Sequence, residues 1–176
     1  MINLKVVIER EGYISKSVNL QMKLGDTTEI DLSNLLDVNL TKIEEGKTDL
    51  ADVIDINPIY FDLNSSLIRP DAAKELDKIV EMMNDNPKIV IELRSHTDSR
   101  GSEKYNLWLS DRRAKSSAEY IVSQGISVDR ITGKGFGQQV LEHSDEEIAQ
   151  AKTEAEKEKL HQMNRRTEFI IVRMNK

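Results

Sequence analysis

The sequence predicts an α/β sandwich, with helices covering one face of a mixed sheet, and three observations carry that expectation. From residue 56 onward, strand-like runs alternate with helical runs, the pattern that layers helices on a sheet. Within "RPDAAKELDKIVEMMNDNP", residues 69–87, Ala72, Leu76, Ile79, Val80 and Met83 recur at the spacing of one helix face. In "KIVIELRSH", Ile89, Ile91 and Leu93 alternate as they would along a half-buried strand. The resulting order is β-α-β-α-β-β, with a helical insert before the last strand.

Taken in order, residues 1–36 read as strands. "NLKVVIE" and "YISKSVNLQM" are rich in β-branched and apolar residues, and Gly12 of "REGY" supplies a turn between them. "TTEIDL" at 27–32 adds a short third strand. So few strands cannot bury two faces alone; they must lean on the main domain, pair with something else, or be the remnant of a β-sandwich lying upstream, which is the favoured expectation. Residues 37–55 read as a connector. Its "GKT" invites a phosphate-loop reading, but the motif needs a Gly five places before Gly46, where Thr41 stands. The main domain, 56–176, opens with "INPIYFDL" as a strand. A first helix follows Pro70 and stops at Asn84–Pro87. A second spans 102–124 and ends at Gly125 in the C′ position. "RITGKGFG" is a strand, where Gly133, Gly135 and Gly137 mark twist rather than a dinucleotide fingerprint. "SDEEIAQAKTEAEKEKLHQM" is a charged helix with Ser144 and Glu147 placed as a capping box. "RRTEFIIVRM" closes the sheet, alternating Thr167, Phe169 and Ile171.

Composition narrows the function. The 176 residues are 38% hydrophobic and 32% charged, enough for a core under a wet surface. A formal charge of −6 without a long basic run argues against nucleic acid as a partner. The absence of cysteine excludes disulfides and cysteine-ligated zinc. No apolar run approaches ~20 residues, so no membrane-crossing helix is expected. "MINLKVVIEREGY" lacks the basic-then-apolar pattern of a signal peptide. An enzyme needs a nucleophile or clustered metal ligands, and no H-x-x-x-H pair is present. No cofactor, metal or catalytic residue is assigned.

Charge concentrates in "SHTDSRGSEKYNLWLSDRRA", residues 95–114, at a strand-to-helix junction. Ligands of open α/β sheets bind at such junctions, because N–H groups at the helix start are unpaired there. Asp98 reads equally well as a cap of the following turn, and Arg113 as a surface residue beside Asp111. Arg100 and Arg112 read as solvated or partner-facing, and His96 as a satisfied histidine at a strand end. Trp108 and Tyr105 read as packing near the helix start.

Together with "GISVDRITGKGFG" and "NRRTEFIIV", this stretch resembles the OmpA-like domain, the peptidoglycan-binding module of outer-membrane proteins, peptidoglycan-associated lipoproteins and flagellar stator proteins. Phe61, Asp62, His96–Asp98, Gly101, Tyr105, Asn106, Leu109, Ser110, Arg113, Ala114, Gly125, Ile126, Arg130, Ile131, Asn164–Arg166 and Glu168 fit that pattern. The resemblance covers 56–174 and implies non-catalytic binding of peptidoglycan in the periplasm, anchoring the outer membrane to the cell wall of a Gram-negative cell. Carried over residue by residue, it assigns the meso-diaminopimelate of the stem peptide to Asp98 and Arg113. That zwitterion requires an anion for its ammonium and a guanidinium for its carboxylate. Asp62, Asn64, Thr97, Gly101, Asn106, Leu109 and Arg166 are the expected supporting pocket. The alternative is a protein-docking or oligomerisation domain of the same fold, with other outer-membrane proteins as partners. The segment 138–162 is longer and more acidic than the family's loop. "EREGYISKSV" is similar to the last strands of a carboxypeptidase-regulatory-like β-sandwich. That pairing occurs in outer-membrane proteins of the Bacteroidetes type, so the chain is expected to be the C-terminal part of a larger exported protein.

Overall fold

The computed structural model of the chain describes residues 2–22, 39–62 and 64–175; the strand expected at 27–32 lies outside them. The first two strands, β1 (Ile2–Ile8) and β2 (Lys16–Met22), form an antiparallel ribbon pairing Leu4 with Leu20 and Val6 with Val18. Gly12, at φ +78°, takes the turn conformation its position required. The ribbon is fastened to the domain. Ile14 is buried in the main core, Ser15 N–H donates to Asn86 Oδ1 at 2.7 Å, and Lys5 and Ser17 both reach the Asp85 carboxylate.

The central sheet has the order β4-β3-β5, with β3 (Ile89–His96) parallel to β4 (Ile131–Gly137) and antiparallel to β5 (Thr167–Met174). Helices α1 (Pro70–Asp85) and α2 (Glu103–Ser123) cover one face. The α1 residues named from periodicity, Ala72, Leu76, Ile79, Val80 and Met83, are all buried. They meet Ile89, Ile91 and Leu93 of β3 and Phe169 and Ile171 of β5 in one core. Arg130 joins these layers: its guanidinium donates to the carbonyls of Met83 and Asn86, both at 2.8 Å, and Ile89, at 3.1 Å. It thereby satisfies carbonyls at and just after the α1 C-terminus that have no partner within the helix.

Three expectations are corrected. Residues 56–62 are extended but enter no sheet, although Ile59 is buried and Phe61 packs on the core. The outer edge of β5 is already taken by the segment read as a connector. Gly46 N–H donates to Ile171 O at 2.7 Å, Ile171 N–H to Thr48 O at 2.9 Å, and Phe169 N–H to Asp49 Oδ1 at 2.8 Å. Second, the charged insert is two helices, α3 (Asp145–Ala149) and α4 (Glu154–Asn164). Ser144 caps α3, but the reciprocal capping box belongs to Thr153 and Glu156, whose competing signal starts a new helix. Third, the β4 glycines serve close approach. A Cβ on Gly133 would lie 2.4 Å from Ala114 O, and one on Gly135 2.1 Å from Asp111 N.

That close approach seats α2 directly on β4 and fixes where its N-terminal turns lie. Ser110 Oγ, fully buried, accepts from Gly137 N–H at 2.8 Å and donates to Leu107 O, locking the two elements at the end that carries the charged stretch.

Candidate functional site

The loop from Asp98 to Gly101 leaves the end of β3 and delivers the chain to α2. Ser102 caps that helix through Tyr105 N–H, and Gly101 sits at φ +101°, where a side chain would be strained. Asn106 holds the loop from beneath. Buried, its side-chain amide donates to Asp98 O at 3.2 Å, Arg100 O at 3.1 Å and Gln138 Oε1 at 2.6 Å. It therefore shapes the loop and has no donor left over to line a pocket. Thr97 and Leu109 are buried as well, Thr97 N–H bonding Gly137 O at 2.8 Å.

Asp98 is not on the surface, as a ligand-binding carboxylate on an open loop would be; its side chain is 9% exposed. One oxygen, Oδ1, accepts Arg100 N–H at 3.1 Å, so the turn-capping role read from the sequence is present. The other, Oδ2, accepts Arg100 Nε and Nη2, at 3.1 and 2.7 Å, and Arg165 Nη1. Burial by itself would raise the Asp98 pKa, but the bonds from Arg100 and then Arg165 prevail and hold it below its ordinary value. Both guanidiniums continue to Glu158 of α4, Arg100 Nη1 at 2.8 Å and Arg165 Nη2 at 2.7 Å. The Glu158 carboxyl is drawn down to about 2 by Arg100 and then Arg165.

Arg113 approaches from α2. Its guanidinium lies over the Phe61 ring at 5.0 Å, donates from Nε to Ser65 O at 3.0 Å and from Nη2 to Asp62 O at 3.2 Å. Those bonds use two of its five N–H donors. Burial lowers its pKa, opposed by Tyr105 and aided by the positive charge of Arg165. Beside them, Tyr105 O–H donates to Asn64 Oδ1 at 2.7 Å, with Asn64 in the left-handed region at φ +56°. Asp62 contributes its carbonyl; its carboxylate pairs instead with Arg69 at 2.9 Å.

The structure thus groups Thr97, Asp98, Gly101 and Asn106 at the β3-to-α2 loop, buries Leu109 in the helix that follows, and separately joins Arg113 to the backbone of Asp62 and Tyr105 to Asn64. Arg166 is elsewhere: it pairs with Glu168 at 2.9 Å and reaches Val140 O. Its neighbour Arg165 is the member of the N-R-R run that reaches Asp98. Arg100, read as solvated, is an ion-pair partner of Asp98 and Glu158. His96 is buried and stacked on Phe136 at 5.3 Å, with Nε2 3.4 Å from Glu168 Oε1. That contact is misaligned, so neither ring nitrogen makes a hydrogen bond among the described residues. Among those residues, no cluster of histidine and acidic side chains suits a metal ion, and no helix is long and apolar enough to cross a membrane. A shallow groove of about 230 Å³ between α2 and β4, lined by Lys115, Ala118, Val122 and Val128, shares no residue with the site.

A family model described as the OmpA family matches residues 60–159. Similar proteins include the peptidoglycan-associated lipoprotein of Brucella melitensis biotype 1, 38% identical over 79 residues, covering 45% of this chain and 47% of that protein. The peptidoglycan-associated lipoprotein of Buchnera aphidicola subsp. Baizongia pistaciae is 36% identical over 103 residues, covering 57% and 53%. The chain spans about half the length of these relatives. Among solved structures, the fold is shared with the peptidoglycan-associated lipoprotein from Burkholderia pseudomallei (TM-score 0.51, 21% identity, covering 64% of this chain and 86% of that one). It is shared equally with the C-terminal domain of Helicobacter pylori MotB (TM-score 0.53, 19% identity, covering 65% and 83%).

Proposed function

The chain belongs to the OmpA family, and from that premise we propose that it binds peptidoglycan without catalysis, through the meso-diaminopimelate of the stem peptide. In this reading the domain works in the periplasm of a Gram-negative cell and anchors the outer membrane to the wall. In this reading β1 and β2 are carboxypeptidase-regulatory-like strands of the Bacteroidetes type that lean on the main domain through Ile14 and Ser15, and 46–49 line the edge of β5 rather than serve as a free connector. Support comes from relatives named for their association with peptidoglycan.

The observation that carries the reading is that Asp98 offers a sheltered carboxylate after β3 while Arg113 of α2 bonds Ser65 O and Asp62 O with only two of its five N–H donors. Diaminopimelate carries an ammonium and a carboxylate on its free end. Asp98 takes the ammonium, and the unused donors of Arg113 take the carboxylate in a charge-assisted bond worth about 1.5–3 kcal/mol where water is excluded. Asn64, Thr97, Gly101, Asn106 and Leu109 shape the surroundings, with Asp62 acting through its carbonyl. Nothing in this arrangement activates a nucleophile or a water.

A second reading, a docking domain without wall binding, is favoured by one observation: the Asp98 carboxylate is already neutralised by Arg100 and Arg165. Calorimetry with a meso-diaminopimelate stem peptide and its lysine analogue separates the two. The analogue lacks the second carboxylate, so a clear preference for diaminopimelate, lost in Arg113→Ala, is the expected result. Absence of binding, or equal binding of both peptides, refutes the wall-binding reading and leaves the docking one.

A further inference from the structure

Resting on that reading, the acidic insert acquires a role in the binding site. The Asp98 carboxylate accepts four hydrogen bonds: Arg100 N–H on Oδ1, and Arg100 Nε, Arg100 Nη2 and Arg165 Nη1 on Oδ2. Three of these bonds crowd Oδ2, which has about two lone-pair sites, in a side chain only 9% exposed, so an incoming ammonium that pairs with Oδ2 has to displace a donor. Of the two guanidiniums, Arg100 is the one placed to leave. Its side chain is 52% exposed, whereas that of Arg165 is 26% exposed and is also held by Gln162. Arg100 already has a second anion in reach, Glu158 of α4, with Nη1 at 2.8 Å and Nη2 at 3.4 Å.

We propose that Glu158 is a positioning residue of the Asp98 site, a second anion on which the Arg100 guanidinium rests when a ligand ammonium replaces it on Asp98. Arg100 is then a latch over Asp98 and Glu158 its keeper. In the closed form, two cations and two anions balance. In the open form, Arg100 stays paired to Glu158 while the ammonium occupies Asp98, and the ligand carboxylate on Arg113 offsets the added positive charge. The insert is tied to the same loop at a second point, Ser99 Oγ to Asp145 of α3, so the keeper is anchored to the loop it serves. In the closed form Arg100 Nη2 is given to Asp98 at 2.7 Å and stands 3.4 Å from Glu158, whereas in the open form it is free to complete the fork on Glu158, so removing Glu158 costs the open form more than the closed one.

The test is calorimetry of the full chain against a meso-diaminopimelate stem peptide, in wild type, Arg100→Met, Glu158→Gln and the double variant. Removing the latch is expected to tighten binding about threefold, and removing the keeper to weaken it about threefold, the scale of a half-exposed ion pair. Adding Arg100→Met to Glu158→Gln restores at least wild-type affinity, a rescue that a purely structural role for Glu158 does not give. Weaker binding by Arg100→Met overturns the proposal, because Arg100 is then a ligand contact. An equal loss from Glu158→Gln in both backgrounds overturns it too. Failure of wild type to bind the peptide is a different result: it removes the wall-binding reading itself, and the latch with it.

Discussion

Replacing Gly135 by alanine tests whether α2 owes its position, and with it that of Arg113, to the bare backbone of β4. An added Cβ would lie 2.1 Å from Asp111 N, 2.5 Å from Asp111 Cα and 2.5 Å from Ser110 Oγ. Two of these atoms are helix backbone, which no rotamer change can move. To restore ordinary contact at 3.4 Å or more, the helix has to retreat by about 1.3 Å. Overpacking a tight interior costs about 1–3 kcal/mol, and an obstruction by backbone belongs at the upper end. Some 3 kcal/mol in a domain of this size lowers Tm by roughly 10 °C. The retreat also draws Arg113 from Ser65 O and Asp62 O, so stem-peptide affinity falls together with stability. Thermal unfolding followed by circular dichroism, with Thr132→Ala on the exposed side of the same strand as control, measures the first effect; calorimetry measures the second. A Gly135→Ala protein melting within about 2 °C of wild type would falsify the close-approach account of these glycines.

Arg130→Met removes three guanidinium-to-carbonyl bonds at 2.8–3.1 Å and leaves Asn86 O with only the Ile89 N–H, so the urea midpoint should drop by the equivalent of about 3 kcal/mol. Arg113→Lys keeps the charge but loses the fork that spans Ser65 O and Asp62 O; stem-peptide affinity is expected to fall about tenfold with Tm nearly unchanged. For Asp98 the pH dependence has a definite sign. Its folded pKa lies below the unfolded value of 3.8, so its contribution is present above that pH and is lost as pH falls through the folded pKa. Acid unfolding of Asp98→Asn should therefore lack part of the slope that wild type shows below 3.8, and identical slopes would mean that Asp98 is not ion-paired in solution. Asn164→Ala removes a buried amide that donates to His143 O and accepts from Glu142 N–H and His143 N–H, all at 2.8 Å. The expected result is faster amide exchange across 139–164 than across β3.

What the sequence disclosed was whatever is local. The buried face of α1, the alternation of β3 and the Gly125 stop of α2 depend on spacing within one element, and each is where periodicity put it. Motif matching names Asp98, Asn106 and Arg113, because the loop and the helix that carry them are contiguous in the chain. Partners far apart in the chain were beyond that reach. Arg100 and Glu158 are separated by 58 residues and Arg165 and Asp98 by 67, and no periodicity links them. N-R-R offers two adjacent arginines, and which of them reaches Asp98 depends on how α4 ends and β5 begins, which spacing in the sequence does not show. The strand expected at 56–62 failed for a related reason. Its composition suits a strand, but sheet membership depends on a free edge, and residues 46–49 had already filled it.

The same logic makes the α1 C-terminus a junction rather than a mere helix end. Asn86 accepts the Ser15 N–H of the amino-terminal ribbon on its side chain and the Arg130 guanidinium on its carbonyl, while Asp85 receives Lys5 and Ser17. The ribbon, the first helix and the strand that seats α2 therefore share two adjacent residues. Loss of Arg130 leaves the Asn86 carbonyl only the 3.2 Å bond from Ile89 N–H and loosens the geometry that presents Oδ1 to Ser15, so the ribbon should loosen along with the helix end. Hydrogen exchange distinguishes that coupling from independent packing. In Arg130→Met, the amides of 4–8 and 16–20 should lose protection together with those of 82–86, and unchanged protection in the ribbon would show that Ile14 alone holds it to the core.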